Sequence, residues 1–217
     1  MLRNGPMHKL KKIFLILRDH YHSLPFLEFM RFLRNSLFKN EKILIYCKSF
    51  KGLDAVDQKV SNITIVKGEI SDLEAGRKHL EPIPWEFQCD LYDGVQDFFV
   101  YKEKGTIGHI SWVYHKNDPN RILRLGEKEC EVKFCLTFPE YRGKGLYPAA
   151  LLTIQRYLRE RGYSRCFICV KDDNSPSIRG IEKAGFRFVG ATHVRKAFGF
   201  QINSRRDVKL FKNIEGN

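Results

Sequence analysis

The pattern of apolar and polar positions is clearest between Cys130 and Arg161, where its period changes once. From Cys130 to Phe138 the period is two: Cys130, Val132, Phe134, Leu136 and Phe138 fall on one side, and Glu131, Lys133, Cys135 and Thr137 on the other. That alternation predicts a strand with one face in a core and the other lining a cleft. Pro139 stops the ladder. Further on the period lengthens, and Ala149, Ala150, Leu151, Leu152, Ile154, Gln155 and Leu158 predict a helix, with Pro148 tolerated in a first turn whose N–H groups lack partners. Between strand and helix stands Arg142-Gly143-Lys144-Gly145, where glycine lets the backbone turn tightly and approach a ligand. First-turn amides, the helix dipole and two cations together suit a diphosphate.

The same reading extends along the chain. Leu10, Ile13, Phe14, Leu17 and Tyr21 have helical spacing, and a second helix is expected from Leu24 to Phe38, capped by Ser23 with Pro25 in its first turn. Lys42 to Phe50 reads as a strand. Another strand, ending near Lys67, leads into a helix for which Ser71 and Glu74 predict a capping box. Glu81 to Asp93 has aromatics and prolines but no period. Asp97 to Tyr101 and Thr106 to His115 form a hairpin, Lys116 to Arg121 a turn, and Ile122 to Leu125 a short strand. Arg165 to Val170, His193 to Phe200 and Asp207 to Phe211 are further strands. The succession predicts an α/β chain with a mixed sheet. Residues 61–217 form its main domain, and residues 1–60 a basic N-terminal extension of helices plus a strand.

Composition narrows the functional classes. A chain of 217 residues, 43% of them hydrophobic, can bury one good core and carry one extra subdomain. No apolar run approaches the ~20 residues of a membrane span; Ile13 to Leu17 is cut off by Arg18 and Asp19, so neither a signal peptide nor a transmembrane helix is expected. The six cysteines lack a disulfide-framework spacing. Cys166 and Cys169 fall on opposite faces of a strand, without a second pair at zinc spacing, so free thiols in a reducing cytoplasm and no metal are expected. The net charge of +13 points to an anionic cofactor, substrate, lipid surface or nucleic acid. Part of it lies in the N-terminal helices. These are read either as packing on the domain or on a second subunit of a homodimer, or as a basic surface that meets the inner membrane face or a lipid-linked substrate through residues 1–40. No helix-turn-helix, zinc finger or base-stacking platform is recognisable, which argues against nucleic acid.

PEYRGKGLYPAALL, followed after one helix by V-x-x-x-N-x-x-S and EKAGF, resembles the GNAT acyltransferase superfamily over roughly Ile63 to Phe211. The resemblance implies a central, mostly antiparallel sheet that is splayed at the cofactor site and flanked by helices. It also implies acyl transfer, expected here to be of acetyl from acetyl-coenzyme A to a primary amine of a small-molecule acceptor, directly in a ternary complex. It places Arg142, Gly143, Lys144, Gly145, Leu146 and Tyr147 at the pyrophosphate and Asn174 and Ser177 along the cofactor. A main-chain amide near Leu136 or Thr137 would meet the thioester oxygen. The attacking amine must be uncharged, which requires a proton acceptor. Glu131 lies where several members carry a glutamate base, and Glu129, on the same face, cannot be separated from it by sequence.

Two departures from the family pattern bear on mechanism. Tyr147 stands where a small residue is common, so its ring must point away from the pyrophosphate or shift the cofactor. Ile181 stands where many relatives carry the tyrosine that protonates the departing thiolate; either no protein acid is needed or another group, Tyr147 and Tyr141 among the candidates, supplies the proton. Cys135 is a conceivable nucleophile, but no histidine is placed by sequence to activate it. Trp85, Phe87 and Tyr92 are candidates for the acceptor pocket or for the core. An amino sugar of surface-polysaccharide assembly is the leading acceptor, with a membrane-associated long-chain N-acyltransferase or a non-catalytic coenzyme A-binding module as alternatives.

Overall fold

The computed structural model describes residues 39–50, 63–119, 121–197, 200–201 and 206–207. The two expected N-terminal helices and most of the last expected strand lie outside them. The chain divides into two units, residues 44–191 with 205–217 and residues 1–43 with 192–204. In the larger unit seven strands lie in the order β2 (Val66–Lys67), β3 (Phe98–Glu103), β4 (Thr106–Tyr114), β6 (Glu129–Thr137), β7 (Arg165–Lys171), β1 (Lys39–Ser49) and β8 (Arg187–Ala197). Strands β1 and β8 continue into the smaller unit, where the end of β8 turns back on β9 (Phe200–Gln201). Lys39–Ser49, which the sequence assigns to the extension, is therefore a strand between β7 and β8.

The first three strand pairs are antiparallel, whereas β6 and β7 run parallel, joined through helix α3 (Leu146–Glu160). A parallel pair needs such a crossover because a tight turn cannot return the chain to the same end. Helices α3 and α4 (Ser175–Lys183) belong to one face of the sheet. Leu146, Ala149, Ala150, Leu151, Ile154 and Leu158 of α3 are buried, most of them in a cluster with Val113, Val132, Cys166 and Ile168. Each large apolar side chain buried there contributes about 1.5–3 kcal/mol. On the other face, α1 (Ile70–Arg77), a 3-10 turn over Trp85–Phe87 and α2 (Cys89–Asp93) enclose Leu73, Phe87, Phe98, Trp112 and Tyr114. A third, smaller cluster of Ile45, Leu123, Leu125 and Phe167 lies beside β5 (Leu123–Arg124), which pairs in parallel with β10 (Arg206–Asp207). Among the described residues no helix is long and apolar enough to cross a membrane.

Two local expectations are corrected. Helix α1 begins before Ser71: Glu69 is its cap, and the reciprocal bonds run between Glu69 and Asp72, whose carboxylate accepts the Glu69 N–H at 3.0 Å. A carboxylate is the stronger acceptor for a backbone amide, so it displaces the hydroxyl from the capping role. Glu81 to Asp93, without a period, holds the 3-10 turn and the short α2. Trp112 Nε1 donates to the Glu86 carbonyl at 2.7 Å, Phe87 enters the core, and Trp85 stacks on Tyr92 with centroids 5.2 Å apart.

A polar cluster ties β2, β4 and α3 together at one end of the sheet. The Asp97 carboxylate accepts from His115 Nε2 at 2.8 Å, Lys67 Nζ at 2.5 Å and the Tyr157 hydroxyl at 3.3 Å. The His115 hydrogen bond, with Lys67 adding to it against the opposing effect of burial, holds the Asp97 carboxyl well below the usual carboxylate range. Its folded-state pKa lies below the unfolded value of about 3.9, so the stabilisation is present above that pH and is lost as the pH falls toward the folded value. Asp97→Asn should therefore cost about 1–3 kcal/mol at pH 7 and clearly less at pH 3. Urea unfolding at the two pH values measures the difference, and equal losses would show that the charge is not what stabilises.

Candidate active site

The site begins with an irregularity in β6. Ile110 pairs with Leu136 and Trp112 with Lys133, so Ser111 of β4 faces two residues of β6, Phe134 and Cys135. Phe134 adopts φ 49°, a conformation that costs a bulky L-residue roughly 1–2 kcal/mol. Aromatic packing holds it there: its ring lies 6.2 Å from Trp85 and 5.7 Å from Tyr114, with Lys133 Nζ 4.9 Å from its centroid. The extra residue reverses the alternation expected from Cys130 to Phe138. Phe134, Leu136 and Phe138 pack with Trp112 and Tyr114, whereas Cys135 belongs with Cys130 and Val132 on the helix α3 side. Thr137 also turns to the α3 side, so Glu131 does not share its face.

Beyond this point β6 has, among the described residues, no strand partner on its β7 edge. The pairing of β6 with β7 runs from Glu129↔Arg165 to Val132↔Ile168 and ends, although β6 continues to Thr137 and β7 to Lys171. The open edge of β6 leads to the basic turn. A 3-10 turn over Pro139–Tyr141 is followed by Gly143 at φ 77° and Gly145 at φ 78°, and Gly145 caps α3. The hydrogen bonds here are Tyr141 N–H to the Phe138 carbonyl and Arg142 N–H to the Pro139 carbonyl, and the helix resumes with Ala149 N–H to the Gly145 carbonyl. In between, the first-turn amides lie at the positive end of the helix dipole. Arg142 Nε donates to the Thr137 carbonyl at 3.2 Å, and Lys144 Nζ sits 4.9 Å from the Tyr141 ring centroid. Arg142, Gly143 and Lys144 thus form an exposed basic surface, while Leu136, Thr137, Gly145 and Tyr147 are half-buried and Leu146 is buried.

Sequence reasoning missed the polar chain behind that surface. His109 and Ser111 project from β4 to the α3 side; His109 Nδ1 meets Thr137 Oγ1 at 2.7 Å and Nε2 meets Ser111 Oγ at 2.8 Å. The Cys135 thiol donates to the Lys133 carbonyl at 3.8 Å; Cys135 and Tyr147 pack against the same cluster, and the Tyr147 ring lies 5.9 Å from that of His109. Burial pushes the Cys135 thiol up to about 12 and the Tyr147 phenol well above its ordinary value. A thiol protonated to that extent is a poor nucleophile. The alternation of His109, Ser111 and Val113 along β4 was legible, but which face of β6 it meets depends on the bulge.

The two glutamates differ in their surroundings. Glu129 is paired with Arg165, and its Oε2 accepts the Gly126 N–H at 2.7 Å. Glu131 is 0% exposed; its Oε2 accepts from Ile122 N at 3.1 Å and Leu123 N at 3.4 Å, while Oε1 has no hydrogen-bond partner. The Cys169 thiol nearby is pushed up by burial and by the Glu131 charge. On α4, Asn174 caps the helix, its Oδ1 accepting the Ser177 N–H at 3.2 Å, and Ile181 is fully buried. Among the described residues no group of three or more His, Cys, Asp or Glu side chains is placed to hold a metal ion.

This arrangement has relatives among known proteins. A family profile described as the acetyltransferase (GNAT) domain matches residues 56–187, more than half of the chain. Over 116 residues, 52% of this chain, the sequence is 32% identical to the mycothiol acetyltransferase of Saccharomonospora viridis, and the match spans 37% of that protein's length. Among solved structures, a GNAT-family acetyltransferase from Colwellia psychrerythraea shares the fold with a TM-score of 0.53 at 14% identity, covering 88% of this chain and 74% of that one. A GCN5-related N-acetyltransferase from Sphaerobacter thermophilus does so with a TM-score of 0.51 at 14% identity, covering 82% and 58%.

His109 supplies a test of the buried chain. Burial lowers its pKa to about 4, against about 6.5 in an unfolded chain. Between these values the unfolded state binds a proton that the folded state does not. Stability attributable to this group is therefore intact above pH 6.5 and declines by up to about 1.4 kcal/mol per pH unit as the pH falls toward 4. His109→Gln should flatten that part of the stability curve, read from denaturant midpoints between pH 7 and pH 4; an unchanged slope would assign it to other groups.

Proposed function

Because the chain belongs to the GNAT acetyltransferase family, we propose that it takes acetyl from acetyl-coenzyme A and passes it to a primary amine by direct transfer in a ternary complex. The observation that carries this reading is the parting of β6 from β7 beside the Gly143–Gly145 turn. An open strand edge can hydrogen-bond an extended amide-bearing chain such as pantetheine, and the helix start at its end suits a diphosphate. Arg142, Gly143, Lys144, Gly145, Leu146 and Tyr147 hold the diphosphate, and Asn174 and Ser177 border the pantetheine. Main-chain amides near Leu136 and Thr137 face the thioester oxygen, where negative charge develops during attack.

Glu131 is the proton acceptor in this reading. A carboxylate oxygen buried without a hydrogen bond is costly, and one that must take a proton from an ammonium is a reason to keep it. Glu129 is less suited because Arg165 and Gly126 already engage its carboxylate. No side chain at position 181 supplies an acid, and the thiolate of coenzyme A leaves without one. The charge of +13 favours an anionic acceptor, and an amino sugar carried on a nucleotide, as in surface-polysaccharide assembly, meets that requirement. The transferase domain takes in the strand Lys39–Ser49 together with residues 61–217 and works in the cytoplasm, with the residues before that strand as the basic extension.

Calorimetric titration with acetyl-coenzyme A tests the donor, and turnover with nucleotide-linked amino sugars against free amines tests the acceptor. Gly145→Trp should lower acetyl-coenzyme A affinity by at least about tenfold, because its φ of 78° admits no Cβ without strain. An ideal Cβ there meets only Ile63 Cδ1, at 3.8 Å, so the domain should stay folded. Unchanged affinity would remove the turn from the diphosphate site. Glu131→Gln should lower kcat roughly 100-fold or more and displace the acidic limb of the pH–rate profile; a profile of unaltered shape would clear Glu131 of the role.

A further inference from the structure

The family assignment says nothing of what limits the acyl group, and Tyr147 is placed to do so. Its side chain leaves the first turn of α3 toward the sheet and is held from three sides. The ring lies 5.9 Å from His109 on β4, Cys135 of β6 packs in the same cluster, and α4 closes the third side at Gly180. An ideal Cβ at residue 180 would stand 2.7 Å from Tyr147 Cδ1 and 3.2 Å from Cε1, closer than real contacts allow. The large ring on one helix and the missing side chain on the other are thus complementary, and the half-buried ring is confined on the sides of α4 and the sheet. Cys135 lies past the last β6–β7 pair, Val132↔Ile168, so the ring stands against the parting of the strands and not in the regular core.

We propose that Tyr147, backed by Gly180, is the wall that restricts the donor to a short acyl group. The inference rests on the acetyl-coenzyme A reading above. With the diphosphate on the glycine turn and the pantetheine along the open edge of β6, the thioester arrives at the bulge, level with Cys135. An acetyl methyl fits beside Cys135 and the phenol edge. A chain of several further carbons would have to displace a ring that Cys135, His109 and α4 hold in place. Bulk alone does this.

The test uses binding, so it needs no acceptor. Coenzyme A, acetyl-coenzyme A and octanoyl-coenzyme A are titrated calorimetrically into the full chain and its variants. The wild type should bind all but the octanoyl form well, with octanoyl weaker than acetyl by at least roughly tenfold. Tyr147→Ala should bring the two acyl forms to within about threefold by tightening octanoyl binding, and Tyr147→Phe should keep the discrimination. If Tyr147→Ala does not fold, Tyr147→Leu, which shortens the wall, should show the same change in smaller measure. Gly180→Ala, which drives the ring toward Cys135, should weaken acetyl-coenzyme A more than coenzyme A. Equal binding of both acyl forms by the wild type, or undiminished discrimination in a folded Tyr147→Ala or Tyr147→Leu, overturns the assignment while leaving the donor site standing. Failure of coenzyme A itself to bind would refute the donor reading and this inference with it.

Discussion

The site depends on one residue of β6 in a conformation that its side chain disfavours. Phe134, at positive φ, inserts an extra residue opposite Ser111 and bends the strand away from β7. The strain is small beside the aromatic contacts that fix it, which come from Trp85 and Tyr114 on the face away from α3. The irregular segment Glu81–Asp93 therefore has a definite structural task. Its backbone is anchored by the Trp112 indole, and its Trp85 ring meets the bulge. Loss of that packing would let β6 relax toward a regular ladder and close the edge on which the proposed donor site relies.

The bulge also decides which groups lie on which side of β6. Before it, Cys130 and Val132 face α3 while Glu131 faces the other way; after it, Cys135 and Thr137 face α3. The half-buried Cys135, Thr137 and Tyr147 thus lie on one side with the buried His109 and Ser111, and Glu131 lies across the sheet from them, held by amides of Ile122 and Leu123. Separation by a strand keeps a carboxylate charge away from a region where burial already raises the thiol and the phenol and lowers the histidine. Each of these groups stays neutral because burial penalises its charged form.

Much of this was legible in the sequence where local chemistry dictates local structure. The period-two run from Cys130, the glycines of the basic turn and the apolar stripe of α3 mark their elements directly. The bulge was not legible, because Phe134 is a good strand residue and only its cross-strand partners reveal the extra position. That omission put Glu131 and Thr137 on one face. Nor could the sequence show that Lys39–Ser49 enters the sheet between β7 and β8, since the order of strands is a tertiary fact. The difference between Glu129 and Glu131 likewise depends on Arg165, Gly126 and the β5 backbone, none of which follows from strand alternation.

The division of β6 into two faces also bears on the route of transfer. A covalent route through Cys135 would need its thiol ionised and reachable by the acceptor. The thiol is instead raised to about 12 by burial, donates to the Lys133 carbonyl, and is turned toward α3, away from Glu131. His109 does not change this, since it touches Ser111 and Thr137 and its own basicity is depressed. The base proposed at Glu131 and the open backbone edge of β6 fit a different geometry, the proposed direct transfer, in which donor and amine meet at the edge and the proton leaves toward that carboxylate. Direct transfer needs only that both substrates be present together, and the parting of β6 and β7 offers them a common place to meet.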